Sequence, residues 1–283
     1  MHSQKYYRTM WVIKGFGKYI ALILVLLWSG LPILLMLLSS IKFPREIFNY
    51  PPSLIFKPYF GNYVELVRTW PEFFKTLWNS TIVTVGSTFF CVLLSFLAGY
   101  GLSRYRNKTM AVSSFMIIFT RLLPPIIISI PLYPIINRLH MFDNSLTLII
   151  FYTTFFVSLG TILMKTFIDQ IPREIEESAA IDGAPLWKIL WYLILPLSTH
   201  GLVATSTFII LFAWNEYTFA FLFTTTTAKT APVIISEMMG SVTGVLWGPL
   251  FAAASIQLIP ILIFVFAIQK FLVEGAIAGS VKG

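Results

Sequence analysis

Charged side chains are scarce in this chain of 283 residues, at 11% of the sequence. A soluble protein carries about 25% charged and about 45–50% apolar residues. Hydrophobic residues here make up 57% of the chain, and a soluble fold of this length cannot bury that much apolar surface. The composition therefore excludes an ordinary soluble domain and predicts that a lipid bilayer surrounds much of the protein.

Residues that carry common catalytic and metal chemistry are also few. Cys91 is the single cysteine, which excludes disulfides within the chain. The three histidines, His2, His140 and His200, are scattered and form no His-Glu-x-x-His pattern. The chain has no Gly-x4-Gly-Lys-Ser/Thr loop either, so it cannot hold ATP by the usual phosphate cradle. We therefore expect no catalytic set, no metal and no cofactor in this chain.

Six apolar stretches are each long enough for a membrane helix, which needs about 20 mainly apolar residues. They are Tyr19 to Ser40, Phe74 to Ser103, Met110 to Ile136, Leu146 to Phe167, Gly201 to Phe223 and Pro249 to Leu272. Pro124 and Pro125 inside the third stretch predict a broken helix, whose freed carbonyl groups face protein or water. The basic N-terminus could begin a signal peptide, but no small-residue cleavage site ends the first stretch, so we expect a retained span. The sequence predicts an all-α membrane protein with six transmembrane helices.

Lysine and arginine indicate the orientation, because cytoplasmic loops are enriched in them. With both termini inside, twelve of these residues are cytoplasmic and seven are outside, while Arg121 lies within the third span. We therefore expect a bacterial cytoplasmic (inner) membrane protein with a cytoplasmic N-tail (1–18), a transmembrane domain (19–273) and a cytoplasmic C-tail (274–283). The same distribution accounts for the net charge of +8 without a nucleic acid partner, because the basic residues form no patch.

Two segments on the outer side are predicted to be mainly irregular. Ile41 to Phe73 is polar and rich in proline, and suits a cap with one short helix near Asn62 to Val67. Thr224 to Gly248 carries a threonine run and three glycines, and suits a loop with a short helix.

The segment from Ile168 to Thr199 is hydrophobic in part but is not expected to cross the membrane. Its apolar half, Leu186 to Leu197, has about 12 residues and is interrupted by a lysine, which is too short for a span. Before it, Pro172 suits a first helical position, acidic residues follow it where they favour the helix dipole, and Gly183 is a natural stop. The segment therefore predicts a helix-turn-helix on the cytoplasmic surface, joined to the fourth and fifth spans.

Two functions are open for this helix-turn-helix on the residues alone. An amphipathic pair could lie among lipid headgroups, with Ile168, Ile175 and Ala179 on one face. It could instead dock onto a cytoplasmic partner. Glu174, Glu176 and Glu177 favour docking, because anionic lipid headgroups would repel them. The small residues of the segment also flatten its surface for close packing; they are Ser178, Ala179, Ala180, Gly183 and Ala184.

The same segment resembles the signature cytoplasmic loop of ABC importer permeases, which reads Glu-Ala-Ala, three residues, Gly, nine residues, Ile-x-Leu-Pro. This chain has Glu177-Ser178-Ala179, then Gly183, then Leu193-Ile194-Leu195-Pro196, at the full spacing. Asp182-Gly183-Ala184 matches as well, and the departures at Ser178 and Leu193 are conservative. Further stretches resemble the carbohydrate branch of the family: Pro51-Pro52, Asn62-Tyr63, Asn79-Ser80, Trp214-Asn215-Glu216 and Gly279 to Gly283. The resemblance covers nearly the whole chain, at the length of the smaller, maltose- and trehalose-type permease subunit.

The resemblance implies a type I ABC importer permease that carries a sugar or polyol. It implies four kinds of partner: a second permease subunit, a dimer of cytoplasmic ATPase subunits that bind ATP and Mg, an extracytoplasmic solute-binding protein, and the bilayer. In such importers the loop docks in a cleft of the ATPase. The residues implied in docking are Glu177, Ser178, Ala179, Asp182, Gly183, Ala184, Leu195 and Pro196. Glu177 would make the charged contact, Gly183 would form the turn, and Pro196 would set where the fifth span begins.

Ionisable residues inside spans are candidates for function. Arg121 lies in the third span, and Glu216 follows Trp214 and Asn215 in the fifth. These four residues could line a path on which a sugar hydrogen-bonds and stacks, or Arg121 and Glu216 could pair with partners in this or a sister subunit. In a rival function, an ion- or proton-coupled secondary transporter, Arg121 and Glu216 would form the coupling pair. The lack of a visible repeat and the helix-turn-helix argue against that rival.

Overall fold

The computed structural model describes the backbone of residues 2–105, 107–241 and 244–280, and the side chains of 18–105, 107–241 and 244–269. Within these ranges every regular element is helical, which confirms the all-α class. Among the described residues, four helices are long and apolar enough to cross a membrane, or up to six if each of two bent pairs forms one span.

Helices cover all six predicted apolar stretches, but the first extends back to His2, the last extends to Ser280, and the third and fifth stretches are each divided. In chain order they are α1 (His2–Ser40), α2 (Gly61–Thr69), α3 (Phe73–Arg104), α4 (Lys108–Leu122), α5 (Pro125–Arg138), α6 (Ser145–Ile168), α7 (Arg173–Ile181), α8 (Leu186–Lys188), α9 (Leu195–Leu197), α10 (Thr199–Trp214), α11 (Thr218–Phe223), α12 (Ala231–Met239) and α13 (Trp247–Ser280). A 3-10 turn covers Pro44–Glu46, and a π-helix, Ile189–Ile194, joins α8 to α9. The chain forms two compact units, Met1–Pro71 with Met238–Leu258 and Glu72–Glu237 with Ile259–Gly283.

In the first unit, a buried asparagine holds the predicted outer cap to the end of α1. The Nδ2 of Asn62 donates hydrogen bonds to the carbonyl oxygens of Ser40, at 2.9 Å, and Lys42, at 2.8 Å. The hydroxyl groups of Tyr63 and Ser40 share a third hydrogen bond of 2.8 Å. Helix α2 spans the predicted short helix near Asn62 to Val67 and extends it at both ends.

In the second unit, the predicted third span is broken at its proline pair. Helix α4 ends at Leu122 and α5 begins at Pro125, and the two axes are bent by 93°. Pro124 has no backbone N–H group, so it cannot donate the hydrogen bond that would continue α4. It also restricts the preceding residue, Leu123, to an extended conformation. The predicted break is therefore confirmed.

The predicted fifth span is divided, which the sequence interpretation did not foresee. Gly201 to Phe223 was expected as one stretch, but α10 ends at Trp214 and α11 starts at Thr218. The carboxylate of Glu216 accepts hydrogen bonds from the backbone amides of Phe219, at 3.0 Å, and Ala220, at 3.4 Å. Glu216 therefore satisfies amides that the start of α11 would leave free.

Helices α3 and α6 pack closely because glycines lie at their contact. A Cβ atom added at Gly99 would lie 2.9 Å from the backbone nitrogen of Lys165, and one at Gly160 would lie 2.2 Å from the Oγ of Ser95. Small residues let membrane helices approach at backbone distance. The core around this contact is apolar and buried; it includes Val83, Cys91, Leu148, Tyr152, Phe156 and Ile209.

Polar side chains hold the connections of the second unit that were predicted to lie on the outer side. The Nδ2 of Asn79 donates to the carbonyl oxygens of Thr227, at 2.8 Å, and Lys229, at 2.9 Å. The Oγ of Ser80 accepts a hydrogen bond of 2.8 Å from the amide of Ala231, at the start of α12. Helix α12 is the short helix predicted within Thr224 to Gly248.

Asp143, between α5 and α6, makes the densest set of hydrogen bonds among these connections. Its carboxylate accepts seven, from backbone amides and hydroxyl groups of residues 225–228, at 2.6 to 3.2 Å. Burial works to raise its pKa, but the hydrogen bonds from Thr227, Ala228 and Thr225 outweigh burial and hold the pKa well below its usual range.

Candidate functional site

The helix-turn-helix predicted between the fourth and fifth spans is present, and Gly183 forms its turn. Helix α7 begins after Pro172 and ends at Ile181, and Gly183 has a φ of +82°. The amide of Gly183 donates to the carbonyl of Ala180, and the amide of Ala184 to that of Ala179, both at 3.0 Å. This is the Schellman arrangement that ends helices with a left-handed residue, normally glycine. The space beside Gly183 is open to 4 Å, so backbone conformation and not crowding favours glycine there.

The second half of the loop is helical from Leu186 to Leu197, with the π-helix Ile189–Ile194 at its centre. In a π-helix, backbone hydrogen bonds join residues five positions apart. Ile189 and Ile194 have this spacing, and both side chains are buried. The helix axis then bends by 75° into α10, with the break at Ser198. Pro196, expected to set the start of the fifth span, lies two residues before this break.

The inner face of the loop packs onto the ends of α3 and α6. One buried cluster contains Phe96, Tyr100, Met164, Ile168, Ile171, Ile189 and Ile194. Ala179 and Ala184, partly buried, pack against it. Of the three residues expected on one face by spacing, Ile168 is buried and Ala179 is partly buried, whereas Ile175 is 38% exposed. The side chain of Glu176, the next residue, is only 11% exposed. The loop is therefore built into the helix bundle on this side.

Two neighbouring glutamates of α7 have different surroundings. The Oε1 of Glu176 accepts a 2.6 Å hydrogen bond from the Nε of Arg104, and its Oε2 accepts one of 2.9 Å from the hydroxyl of Tyr100. The side chains of Arg104 and Glu176 are 9% and 11% exposed. Glu177 is exposed, since consecutive residues on a helix point in different directions. Glu177 thus remains available to a partner, whereas Glu176 is bound within the chain.

A second set of polar contacts continues from Arg104 to the end of α6. The Oγ of Ser103 and the Nζ of Lys165 each donate a 2.6 Å hydrogen bond to Asp169. The guanidinium of Arg173 donates to the carbonyl of Ser103 at 2.9 Å. Burial works to raise the pKa of Asp169, but its hydrogen bonds with Lys165 and Ser103 outweigh burial and lower that pKa. The Lys165–Asp169 contact is a local one between residues four apart, but the contacts of Ser103 with Asp169 and Arg173 join residues 66 and 70 positions apart, so no local pattern could have predicted those two.

The face of the turn that points away from the helix bundle exposes large apolar side chains together with most of the predicted docking residues. Ile181 is 86% exposed and Trp187 is 54% exposed. The docking residues Glu177, Ser178, Asp182, Gly183 and Pro196 are exposed, and Ala179, Ala184 and Leu195 are partly exposed. A rigid, exposed turn with apolar side chains and an acid beside it can fit a complementary protein cleft.

The four predicted path residues differ in accessibility. Trp214 is buried, and within the described residues its Nε1 has no hydrogen-bond acceptor. Asn215 is exposed, and its Nδ2 donates to the carbonyl of Leu211 at 2.8 Å. The carboxylate of Glu216 binds the amides of α11.

Arg121, the fourth of these residues, lies one position before the end of α4, beside the break in the third span. Its guanidinium carbon lies 5.8 Å from the ring centre of Phe212, within range of a cation–π contact. Its Nη1 is buried and has no hydrogen-bond partner within the described residues. The ion pairs found in that part of the chain do not include Arg121 with Glu216.

Known proteins share this sequence pattern. Residues 91–277 match the family described as binding-protein-dependent transport system inner membrane component. The probable ABC transporter permease y4oR of Sinorhizobium fredii is 32% identical over 251 residues, covering 87% of this chain and 88% of the relative. The trehalose/maltose transport system permease MalG of Thermococcus litoralis is 32% identical over 237 residues, covering 82% of this chain and 84% of that protein.

A solved structure shares the fold. A chain of a bacterial ABC transporter involved in the import of the acidic polysaccharide alginate matches with a TM-score of 0.76 at 22% identity. The match covers 91% of this chain and 96% of that chain, and at this identity it concerns the fold alone. Since the family match spans more than half of the sequence, this chain belongs to the family of inner membrane components of binding-protein-dependent transport systems.

Proposed function

We propose that this chain is a permease subunit of an ATP-driven, binding-protein-dependent sugar importer, and that its 168–199 loop docks onto a separate ATPase. The observation that carries the proposal is the exposed turn at Gly183, mounted on a buried core shared with α3 and α6. A partner that moves the turn would move both helices, because packed interfaces shift as units and do not deform continuously.

The exposed side of the turn supplies the docking contacts in this proposal. Glu177 pairs with an arginine or lysine of the ATPase, because it is exposed and its carboxylate has no ion pair within the described residues. Ile181 and Trp187 enter the cleft. Full burial of an apolar side chain of this size stabilises by about 1.5–3 kcal/mol, which gives the contact strength beyond one ion pair.

The partners follow from the same proposal. A second permease subunit completes the translocation path, two ATPase subunits hold ATP and Mg, and an extracytoplasmic solute-binding protein delivers the cargo. Both termini and the 168–199 loop are cytoplasmic, in line with the distribution of lysine and arginine. The cargo is a sugar or polyol, a class supported by the relative named for trehalose and maltose transport.

The docking role is tested by two substitutions in the assembled transporter. Gly183→Asp places a side chain at a φ of +82°, which favours glycine, and Glu177→Arg reverses the exposed charge. Both are expected to abolish uptake while the protein stays in the membrane. Glu174→Gln, a charge loss at an exposed neighbour, is the control and should leave uptake unchanged. Normal uptake by both test variants would refute the docking role.

Arg121, Trp214, Asn215 and Glu216 are proposed to form part of the sugar path. Asn215 offers the most direct test, because its amide is exposed and a sugar hydroxyl could reach its free oxygen. Asn215→Ala should lower the apparent affinity for sugar by about two- to tenfold, the loss of one hydrogen bond of about 0.5–1.5 kcal/mol. An unchanged affinity in transport assays would remove Asn215 from the path.

A further inference from the structure

Glu176 differs from the other two glutamates of α7 in the contacts that its carboxylate makes. Glu174 and Glu177 are exposed, and no ion pair or side-chain hydrogen bond is found for either carboxylate within the described residues. Glu176 is bound on both oxygens by residues of α3, Arg104 and Tyr100. The acid next to the proposed docking residue therefore contacts the membrane helix and not the solvent.

Arg104 makes this contact at the last residue of α3 and holds it in a fixed geometry. Besides Glu176, its Nη2 donates to the carbonyl of Ile171 at 3.0 Å, and its Nη1 donates to the Oγ of Ser103 at 2.9 Å. With side chains 9% and 11% exposed, Arg104 and Glu176 form a pair largely shielded from water. A planar guanidinium with several fixed donors restricts both direction and distance, as a flexible lysine would not.

Helix α3 is suited to carry a displacement away from this pair. It runs unbroken over Phe73–Arg104, whereas α4 with α5 and the 186–197 segment with α10 are both bent. At Gly99 its backbone approaches α6 so closely that an added Cβ would lie 2.9 Å from a backbone nitrogen. A push at Arg104 is therefore passed to an unbroken, tightly packed helix.

We propose that the Arg104–Glu176 ion pair is the joint through which movement of the 168–199 loop is transmitted to α3, so that both are positioning residues for ATP-driven transport. The proposal rests on the proposed docking function and adds that Glu177 and Glu176 have different roles. Glu177 faces the ATPase, and Glu176 holds the loop to the helix that must move.

The test measures uptake and ATP hydrolysis together in the complete transporter, reconstituted in liposomes with its ATPase, sister permease and solute-binding protein. Glu176→Gln keeps the shape of the side chain and removes the charge. ATP hydrolysis should continue, while the amount of sugar imported per ATP falls at least about fivefold, in the range of typical coupling between sites. Arg104→Lys should reduce the same ratio. Glu174→Gln, the matched change at an exposed acid, should leave it at the wild-type value.

Two further variants distinguish a joint from a purely structural contact. Tyr100→Phe removes one hydrogen bond to Glu176 with little change in volume, and should lower the ratio by less than Glu176→Gln does. The charge exchange Arg104→Glu with Glu176→Arg should recover part of the ratio that either single reversal loses. If Glu176→Gln fails to assemble, Tyr100→Phe and Arg104→Lys provide the result.

The outcomes separate this proposal from the proposed function. Wild-type import without ATP would overturn the docking function itself, and with it the joint. Coupled wild-type import with unchanged sugar per ATP in Tyr100→Phe and Arg104→Lys would overturn the joint alone. A fall in assembly without any fall in the ratio would assign the ion pair to folding and would also overturn it.

Discussion

The carboxylate of Asp143 offers the sharpest test of how the outer side of the second unit is held together. Its Oδ2 accepts five hydrogen bonds, two from backbone amides and three from threonine hydroxyl groups, and its Oδ1 accepts two from the amides of Thr225 and Ala228. The substitution Asp143→Asn keeps the shape but replaces one acceptor oxygen with an NH2 donor.

The magnitude follows from which hydrogen bonds an asparagine could keep. Threonine hydroxyl groups can rotate to accept from the new NH2, but backbone amides are donors only. In the better orientation the amide oxygen takes the Oδ2 position, and the NH2 then faces the amides of Thr225 and Ala228 at about 3 Å. A hydrogen bond to a charged group contributes about 1.5–3 kcal/mol. Because Asp143 is partly exposed to water, each of the two lost hydrogen bonds should contribute near or below the lower end of that range. We therefore expect the free energy of unfolding to fall by about 2–3 kcal/mol in total.

The assay is the thermal unfolding of the purified transporter in detergent. At about 2–4 °C per kcal/mol for a chain of 150–250 residues, the apparent Tm should fall by about 4–12 °C. Glu174→Gln makes the same chemical change at an exposed site and should shift the Tm by less than about 2 °C, since surface changes stay within about 0.5 kcal/mol. An equal Tm for Asp143→Asn and the wild type would refute the claim that the hydrogen bonds of Asp143 stabilise the fold.

The pH dependence has a defined sign. The pKa of Asp143 is lower in the folded chain than its unfolded value of about 3.9, so the ionised carboxylate favours folding. Its contribution is complete above about pH 4–5 and is lost as the pH falls toward the folded pKa. The Tm difference between the wild type and Asp143→Asn should therefore be constant near neutral pH and shrink in acid.

Two further predictions concern packing and helix termini. Gly99→Ala should destabilise by about 1–3 kcal/mol, because its Cβ would meet the backbone of α6, whereas Gly101→Ala, with open space around it, should be neutral or stabilising by about 0.5–1 kcal/mol; denaturation midpoints of the two variants compare them directly. Glu216→Gln should cost about 0.5–2 kcal/mol as a weakened cap of α11, and an unchanged midpoint would contradict that role.

The sequence predicted best where the signal was local. The stop at Gly183 depends on one residue that favours a positive φ, and the break of the third span depends on Pro124 and Pro125, so both could be read without knowing the fold. The short outer helices were also found, since each is bounded by glycine or proline. The apolar stretches predicted the class because length and hydropathy alone determine whether a helix can cross a bilayer.

The sequence predicted least where residues distant in the chain meet. From the sequence, Arg104 was one of the twelve lysine and arginine residues expected on the cytoplasmic side, and its pairing with Glu176 depends on the packing of α3 against the 168–199 loop. Glu216 was interpreted as a path residue inside a span, although a polar Asn-Glu pair within an apolar stretch also suits a helix end. That second interpretation needed the geometry of α11. Ile175 was placed by periodicity on one face with Ile168 and Ala179, but it is 38% exposed, and the neighbouring Glu176 is the buried residue because it pairs with Arg104.

The central claim is that ATP hydrolysis on a separate subunit drives import through this chain. The most direct measurement is sugar uptake by the assembled transporter when ATP is depleted while the ion gradient across the membrane is held. The account predicts that uptake stops and returns when ATP is restored on the cytoplasmic side. Uptake that continues without ATP and collapses with the ion gradient would contradict it and would favour a secondary transporter that uses Arg121 and Glu216.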